Sequence, residues 1–238
     1  MRILLVRRYS IKRAVILSIA VVVLNLLTLR YLVADDIENT NLASLAGKCV
    51  AIDPGHGGID GGASSNGVTE KDVTLAVAAK VAGILQANGA KVVMTRDSDI
   101  DYYTRGKGGK RNDLLKRVDI IESSGADAFV SIHCNAIRGA QLSGAQVFYS
   151  PRLEENKLLA EIMQRALKNF PPGNKRQAKQ DSNILLLNAT NIAGVLVETG
   201  YLTNKKEAAL LTEDDYQTQI AEHIVKALAY HFSQNAGR

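Results

Sequence analysis

Charge of one sign is missing from the start of this 238-residue chain: residues 1–34 contain no Asp or Glu. They hold six of its 29 basic residues (Arg2, Arg7, Arg8, Lys12, Arg13 and Arg30). The net charge of +5 is therefore concentrated there, and the rest of the chain is near neutral. No basic stripe with interleaved aromatics follows, which removes nucleic acid as a partner. Two cysteines are too few for a disulfide scaffold. No Lys follows the glycine-rich stretch GHGGIDGG at 55–62, so it is not a phosphate-cradling loop. Asp60 stands where a dinucleotide fingerprint needs its last glycine. An H-E-x-x-H helix is absent too, and there is no internal repeat.

Five cations precede AVILSIAVVVLNLLTL at 14–29, a run without charge. This basic-then-apolar order is that of a secretory signal peptide or a signal anchor. The run is short of the roughly 20 residues of a full span, but if Arg30 snorkels, YLVA extends it to about 21. Cleavage after Ala34 would put Leu32 three positions back, where a small residue is preferred, so the uncleaved anchor is the preferred reading. A buried core helix is the alternative; the one-sided cations count against it. Either targeting reading exports the domain, with contact to a membrane through residues 1–34.

Residues 35–47, DDIENTNLASLAG, read as a polar linker, and 48–238 as one globular domain. Short apolar strands alternate there with amphipathic helices. Strands are expected at 49–53, 90–96, 128–133, 145–150, 183–187 and 194–198. A helix is expected over 70–87, with Val73, Val77, Val81 and Ile84 on one face, Thr69 as N-cap and Asp72 completing an approximate capping box. Others are expected at about 111–124, around Leu159–Phe170 and over 213–232. The pattern predicts an α/β fold: one twisted, mostly parallel sheet of about six strands, with helices on both faces. Ligands in such folds sit beyond the carboxyl ends of the strands.

Four groups fall on that rim: His56, Glu70, His133 and Glu198. Glycines around His56 free the backbone for close approach of a metal and a substrate. His56, Glu70 and His133 form a His₂Glu set, a hydrolytic zinc pattern with room for water. Glu70 opens a helix, where the dipole already favours a carboxylate. Glu198 ends the apolar strand GVLV, where partial desolvation raises a carboxyl towards a useful base. Each alone has a bland reading: a surface loop, a dipole partner, a hydrogen-bonded strand-end histidine, a salt-bridged glutamate.

Taken together, DPGHGGIDGGA (53–63), Glu70, ADAFVSIHCNA (126–136) and VLVETGYLTN (195–204) resemble the zinc-dependent N-acetylmuramoyl-L-alanine amidases that carry these blocks in this order. The similarity spans about 48–232, and EKDVTL, MTRDSD and SGAQVFYS are similar to the germination-specific, spore-cortex members. The resemblance implies a six-stranded α/β fold and one Zn²⁺ per chain held by His56, Glu70 and His133, with Glu198 as catalytic acid/base. It implies hydrolysis of the amide between the muramic lactyl group and L-alanine in peptidoglycan, preparing cortex strands for muramic-δ-lactam formation. It also implies a regulatory lipoprotein partner, as some members need one. Tyr201 and Thr203 replace the family's usual Phe and Ser. No wall-binding repeat is seen, so substrate localisation would fall to the N-terminal segment or a partner. No long helix is inserted between 70 and 133 to plug the site. Alternatives are a zinc peptidase cutting within the stem, a vegetative-wall amidase under partner control, and an inactive binding scaffold.

Asp53 and Asn135 flank the two histidines and could accept from an imidazole N–H or position substrate. Arg96 could face a stem carboxylate or form a structural ion pair. The cationic loop 171–181 could dock stem carboxylates or simply be solvated. Cys134 should point away from His133, because a strand alternates faces. Cys49 and Cys134 lie at opposite strand ends, too far apart to pair. His223 and His231 read as packed or capping residues.

Overall fold

The computed structural model describes residues 2–106, 108–137 and 142–235. It divides into two compact units, residues 1–39 and 40–238. The first is a helix, α1 (Arg2–Glu38). The expected apolar segment lies within it, and its apolar side chains over 15–27 are exposed, Ile16 and Leu17 by 65% and 66%. The side chains of 1–11 and 29–36, including Arg2, Arg7, Arg8 and Arg30, lie outside the described residues. Among the described residues no helix is long and apolar enough to cross a membrane. Residues 35–47, expected as linker, carry the end of α1 and a 3-10 turn (Leu42–Leu45) whose Leu45 is fully buried in the second unit.

That unit runs β1 (Cys49–Pro54), β2 (Ser64–Ser65), β3 (Val68–Thr69), α2 (Glu70–Ala87), β4 (Lys91–Met94), α3 (Gly109–Ser123), β5 (Ala128–Asn135) and β6 (Gln146–Tyr149). It continues with α4 (Glu154–Ala166), β7 (Lys179–Gln180), α5 (Leu185–Ala189), β8 (Gly194–Tyr201), α6 (Lys205–Leu210) and α7 (Asp214–Asn235). Six strands form one sheet in the order β4-β1-β5-β8-β6-β7. The first four are parallel; β6 runs antiparallel to β8, and β7 follows β6. The mostly parallel six-stranded sheet is as the alternation predicted.

Alternation along the strands sorts the core into two layers. Ala51, Phe129 and Leu196 pack with Ile121 of α3 and Leu186 and Leu187 of α5. The intervening Val50, Ile52, Val130, Ile132, Val195 and Val197 face the other way, where α2, α4 and α7 pack. On α2 the large apolar side chains that are buried are Val73, Val77, Val81 and Leu85; the four-residue step ends on Leu85, leaving Ile84 half-buried. Each such side chain stabilises by about 1.5–3 kcal/mol. On α7, Tyr216, Ile220, Ile224 and Leu228 are buried as their spacing predicts.

Two expectations fail. Residues 183–187 form no strand; the segment enters α5. Neighbouring Leu186 and Leu187 both pack into one cluster, which a strand would forbid by pointing them to opposite faces. The sixth strand is the polar pair Lys179–Gln180, which carries no apolar signal. Thr69 makes no side-chain cap bond and no capping box forms. The first N–H groups of α2 are satisfied by the glycine loop instead: Glu70 N donates to Ala63 O at 2.9 Å and Lys71 N to Gly61 O at 3.2 Å. The fold thus ties the start of α2 to the loop that follows β1.

Candidate active site

The strand β1 ends in Asp53 and Pro54, and the chain then turns through Gly55–Gly58. His56 sits at φ 62°, a left-handed conformation uncommon for any residue but glycine. Two buried guanidiniums hold the turn from either side. Arg117 Nη2 donates to His56 O at 2.6 Å and Nη1 to Pro54 O at 2.7 Å. Arg96 donates through Nε to Pro54 O at 3.0 Å and through Nη2 to Gly55 O at 2.9 Å. Both arginines are at most 2% exposed. Two glycines are required by close approach: a Cβ at Gly55 would stand 2.3 Å from the His133 ring, and one at Gly62 2.6 Å from both Glu70 Oε2 and the His56 ring.

This geometry brings the three expected ligands together. Glu70 Oε2 lies 3.2 Å from His56 Nε2, and Oε1 lies 2.9 Å from His133 Nδ1. The three ligand atoms are all within 4.8 Å of one another. Donors about 2.0–2.2 Å from one tetrahedral ion stand roughly 3.3–3.6 Å apart, so this set fits a single cation with small adjustments. Glu70 is further fixed by N–H donors from Ala63 at 2.8 Å and Cys134 at 3.0 Å. Burial pushes its carboxyl up, but the imidazole hydrogen bonds and charges outweigh that and hold it well below the usual carboxylate range. Burial pulls the His133 imidazole down, while its bond to Glu70 and the Glu198 charge carry it above the ordinary value.

Asp60 was not among the expected site residues. Its Oδ2 is 3.0 Å from His56 Nδ1, and a carboxylate can only accept, so Nδ1 carries the proton and Nε2 is turned to Glu70. Burial raises the Asp60 carboxyl, but hydrogen bonds from His56 and Lys110 bring it down to about 2. Arg117 was missed as well. It forms buried ion pairs with Asp53 at 2.9 Å and Asp113 at 2.9 Å.

Glu198 lies opposite His133 in the parallel β5–β8 register, so the two side chains share a face. Its Oε2 is buried with no hydrogen-bond partner among the described residues. Burial, with the Glu70 charge adding, raises its carboxyl to about 7, although His133 opposes the shift. A buried carboxyl of this kind can exchange a proton near neutral pH. Beside His56 and His133 opens a cavity of about 230 Å³, walled by Leu185, Leu186 and Leu196.

Of the remaining expectations, those for the two cysteines, His223 and His231 hold, while Asp53, Arg96 and the loop 171–181 are engaged differently. Asp53 accepts from Thr95, Ser131 and Arg117 and bonds neither imidazole. Burial pushes its carboxyl up, but Arg117 and the two hydroxyls win, and it lies below its ordinary value. Arg96 meets no ion-pair partner among the described residues and is 2% exposed; it clamps backbone carbonyls from inside. Asn135 lies at a bulge in β5 and its carbonyl accepts from Leu202 N. The loop 171–181 is only partly solvated. Its Asn174 is buried against Ala145 and Leu167, and Lys179 and Gln180 enter the sheet. Cys134 turns to Thr199, and both cysteines are buried and free. His223 packs 5.3 Å from Phe170, and His231 is buried.

A model of the N-acetylmuramoyl-L-alanine amidase family matches residues 50–230. The chain belongs to this amidase family. It is 42% identical over 194 residues to the germination-specific N-acetylmuramoyl-L-alanine amidase of Bacillus subtilis, a match covering 80% of this chain and 82% of that protein. The probable cell wall amidase LytH of Staphylococcus saprophyticus is 32% identical over 200 residues, covering 83% of this chain and 62% of that one. Among solved structures, the CwlD amidase from Clostridioides difficile, in complex with the GerS lipoprotein, superposes with a TM-score of 0.76 at 36% identity. That match covers 79% of this chain and 100% of the CwlD chain. All four rim residues of this amidase fall inside the family match.

Proposed function

We propose that this amidase hydrolyses the bond between the muramic lactyl group and L-alanine of peptidoglycan, in the spore cortex, using one zinc ion. The single observation that carries the reading is the meeting of His56, Glu70 and His133 within 4.8 Å, in a chain of this family. The cortex assignment is supported by the 42% identity to the germination-specific enzyme. The CwlD–GerS complex supports a lipoprotein partner. Export is supported by the basic-then-apolar order of residues 1–34, as signal anchor or signal peptide, and by cell-wall relatives.

The donor set favours zinc: two imidazole nitrogens and one carboxylate oxygen suit its tetrahedral preference and leave a position for water. The orphaned Glu198 Oε2 beside it is a buried polar atom that a water or substrate group would satisfy. Zinc in such a set acts as a Lewis acid towards a carbonyl and makes water acidic near neutral pH. The protein supplies the rest. Asp60 and Arg117 hold His56 in orientation, from its Nδ1 and its carbonyl. Glu70 is pinned by two backbone N–H groups. Glu198 takes the proton from the attacking water and passes it to the leaving L-alanine amine, which breaks the C–N bond without a covalent enzyme intermediate.

Incubating the protein with muropeptides and identifying the new ends tests the reaction. A free lactyl carboxyl with a new L-alanine amine is expected; cleavage within the stem would favour a peptidase. Metal analysis should return about one zinc per chain. The assay is run with and without a candidate lipoprotein, since a partner-dependent enzyme is silent alone.

A further inference from the structure

Two cavities meet beside the triad. The first, about 230 Å³, reaches from His56 and His133 to α5. The second, about 330 Å³, lies along Ile59 and Tyr103, which are 73% and 40% exposed. Asp60, Lys110 and Asp113 line both, so the two form one cleft with these side chains at its waist. Among the described residues the cations lining it are Arg117 and Lys110. Arg117 is 1% exposed, and four of its five N–H donors go to Asp53, Asp113, Pro54 O and His56 O. Lys110 differs: its side chain is 64% exposed and its ammonium stands 3.0 Å from Asp60 Oδ2. An ammonium has three N–H donors, so this contact leaves room for an anion.

The position of that ammonium is informative. Asp60 Oδ2 is 3.0 Å from His56 Nδ1 and 3.0 Å from Lys110 Nζ, so Lys110 is two hydrogen bonds from the triad. An extended chain advances about 3.3–3.6 Å per residue. A stem laid along this cleft with its scissile carbonyl at the triad would bring the residue after L-alanine to the waist. Peptidoglycan stems carry carboxylates. We propose that Lys110 is a specificity-determining residue that binds a carboxylate on the stem residue following L-alanine, a proposal that rests on the amidase reading above. Asp60 does not compete, because it also accepts from His56 and Gly62. The ammonium can bridge Asp60 and the incoming carboxylate together.

The test uses two muropeptides that differ only at that carboxyl, free in one and amidated in the other. Lys110→Met should raise KM for the free acid about tenfold, the loss of one charge-assisted hydrogen bond, with kcat little changed. Its KM for the amidated stem should stay put. Lys110→Arg should restore the preference, and added salt should erode it. Equal losses on both stems, no loss, or a loss confined to kcat overturns the proposal. If the wild-type chain, assayed with the candidate lipoprotein present, cuts neither muropeptide at the lactyl bond, the amidase reading is what fails. Lys110 is then judged by titrating Glu198→Gln with both compounds by calorimetry. Tighter binding of the free acid that Lys110→Met abolishes supports it; equal or absent binding overturns it.

Discussion

Glu70 accepts from two backbone N–H groups and faces two imidazoles, whereas Glu198, across the same rim, keeps Oε2 buried with no partner. Burial pushes both carboxyls up. At Glu70 the donors reverse that push; at Glu198 the His133 and His56 charges only partly oppose it, and it reaches about 7. The β1 side of the rim is saturated with fixed hydrogen bonds, from Arg96 and Arg117 through Asp60 to the helix start. The β8 side is left bare. A saturated carboxylate stays ionised and still, as a ligand must; a bare one holds a proton loosely enough to move it.

Breaking the saturated side should have the larger effect. His133→Ala removes a ligand, and zinc content should fall to background with turnover abolished, read by metal analysis and muropeptide assay. Asp60→Asn keeps every ligand and weakens only what orients His56, so metal affinity should drop about 10–100-fold. If the two variants lose metal equally, Asp60 is a ligand and not an orienting group.

On the bare side, Glu198→Gln should retain zinc and lose about 10²–10⁴-fold in kcat, the usual range for a removed general acid–base group. The wild-type rate should fall with falling pH as Glu198 gains a proton and can no longer act as base, and bound zinc, which favours the carboxylate, should place that fall below the metal-free value of about 7. Normal turnover in the variant would remove Glu198 from the reaction. Arg117→Met separates the sides by stability: stripping the partner from buried Asp53 and from Asp113 should cost about 3–5 kcal/mol in chemical denaturation. A loss near zero would mean the turn holding His56 does not depend on that guanidinium.

The same contrast explains what could be read in the sequence. Val73, Val77 and Val81, and Tyr216 through Leu228, announce their helices because burial repeats every four residues. His56, His133 and Glu198 each end or follow an apolar strand, so topology alone brings them to the rim. Asp113, Arg117 and Ile121 are also spaced by four and are all buried. A charged pair on a stripe that ends in isoleucine was the available sign of a buried guanidinium. Asp60 left no such sign, since its bond to His56 depends on a turn closed by paired Gly57 and Asp60 backbone groups. At 183–187 a short apolar run fits either strand or helix, and only the shared cluster of Leu186 and Leu187 decides.

The smallest expected effect is on stability against pH, and its sign follows from the bare side. Glu198 has a folded value of about 7 against an ordinary 4.5. A carboxyl raised on folding binds its proton more tightly in the native state. Its stabilising contribution is therefore complete below about 4.5 and is lost as pH rises through about 7. Gln carries no such proton. Metal-free wild type and Glu198→Gln should thus have similar Tm near pH 5. By pH 8 the variant should be more stable by of order 2 kcal/mol. Other titrating groups, including Glu70 and His133, are common to both chains and largely cancel in the difference. Zinc beside the carboxylate favours its ionised form, so the gap should shrink in the loaded protein. A Tm difference that stays constant from pH 5 to 8 would mean that water or a neighbouring donor already satisfies Glu198, and that the two sides of the rim are less unlike than their hydrogen bonds suggest.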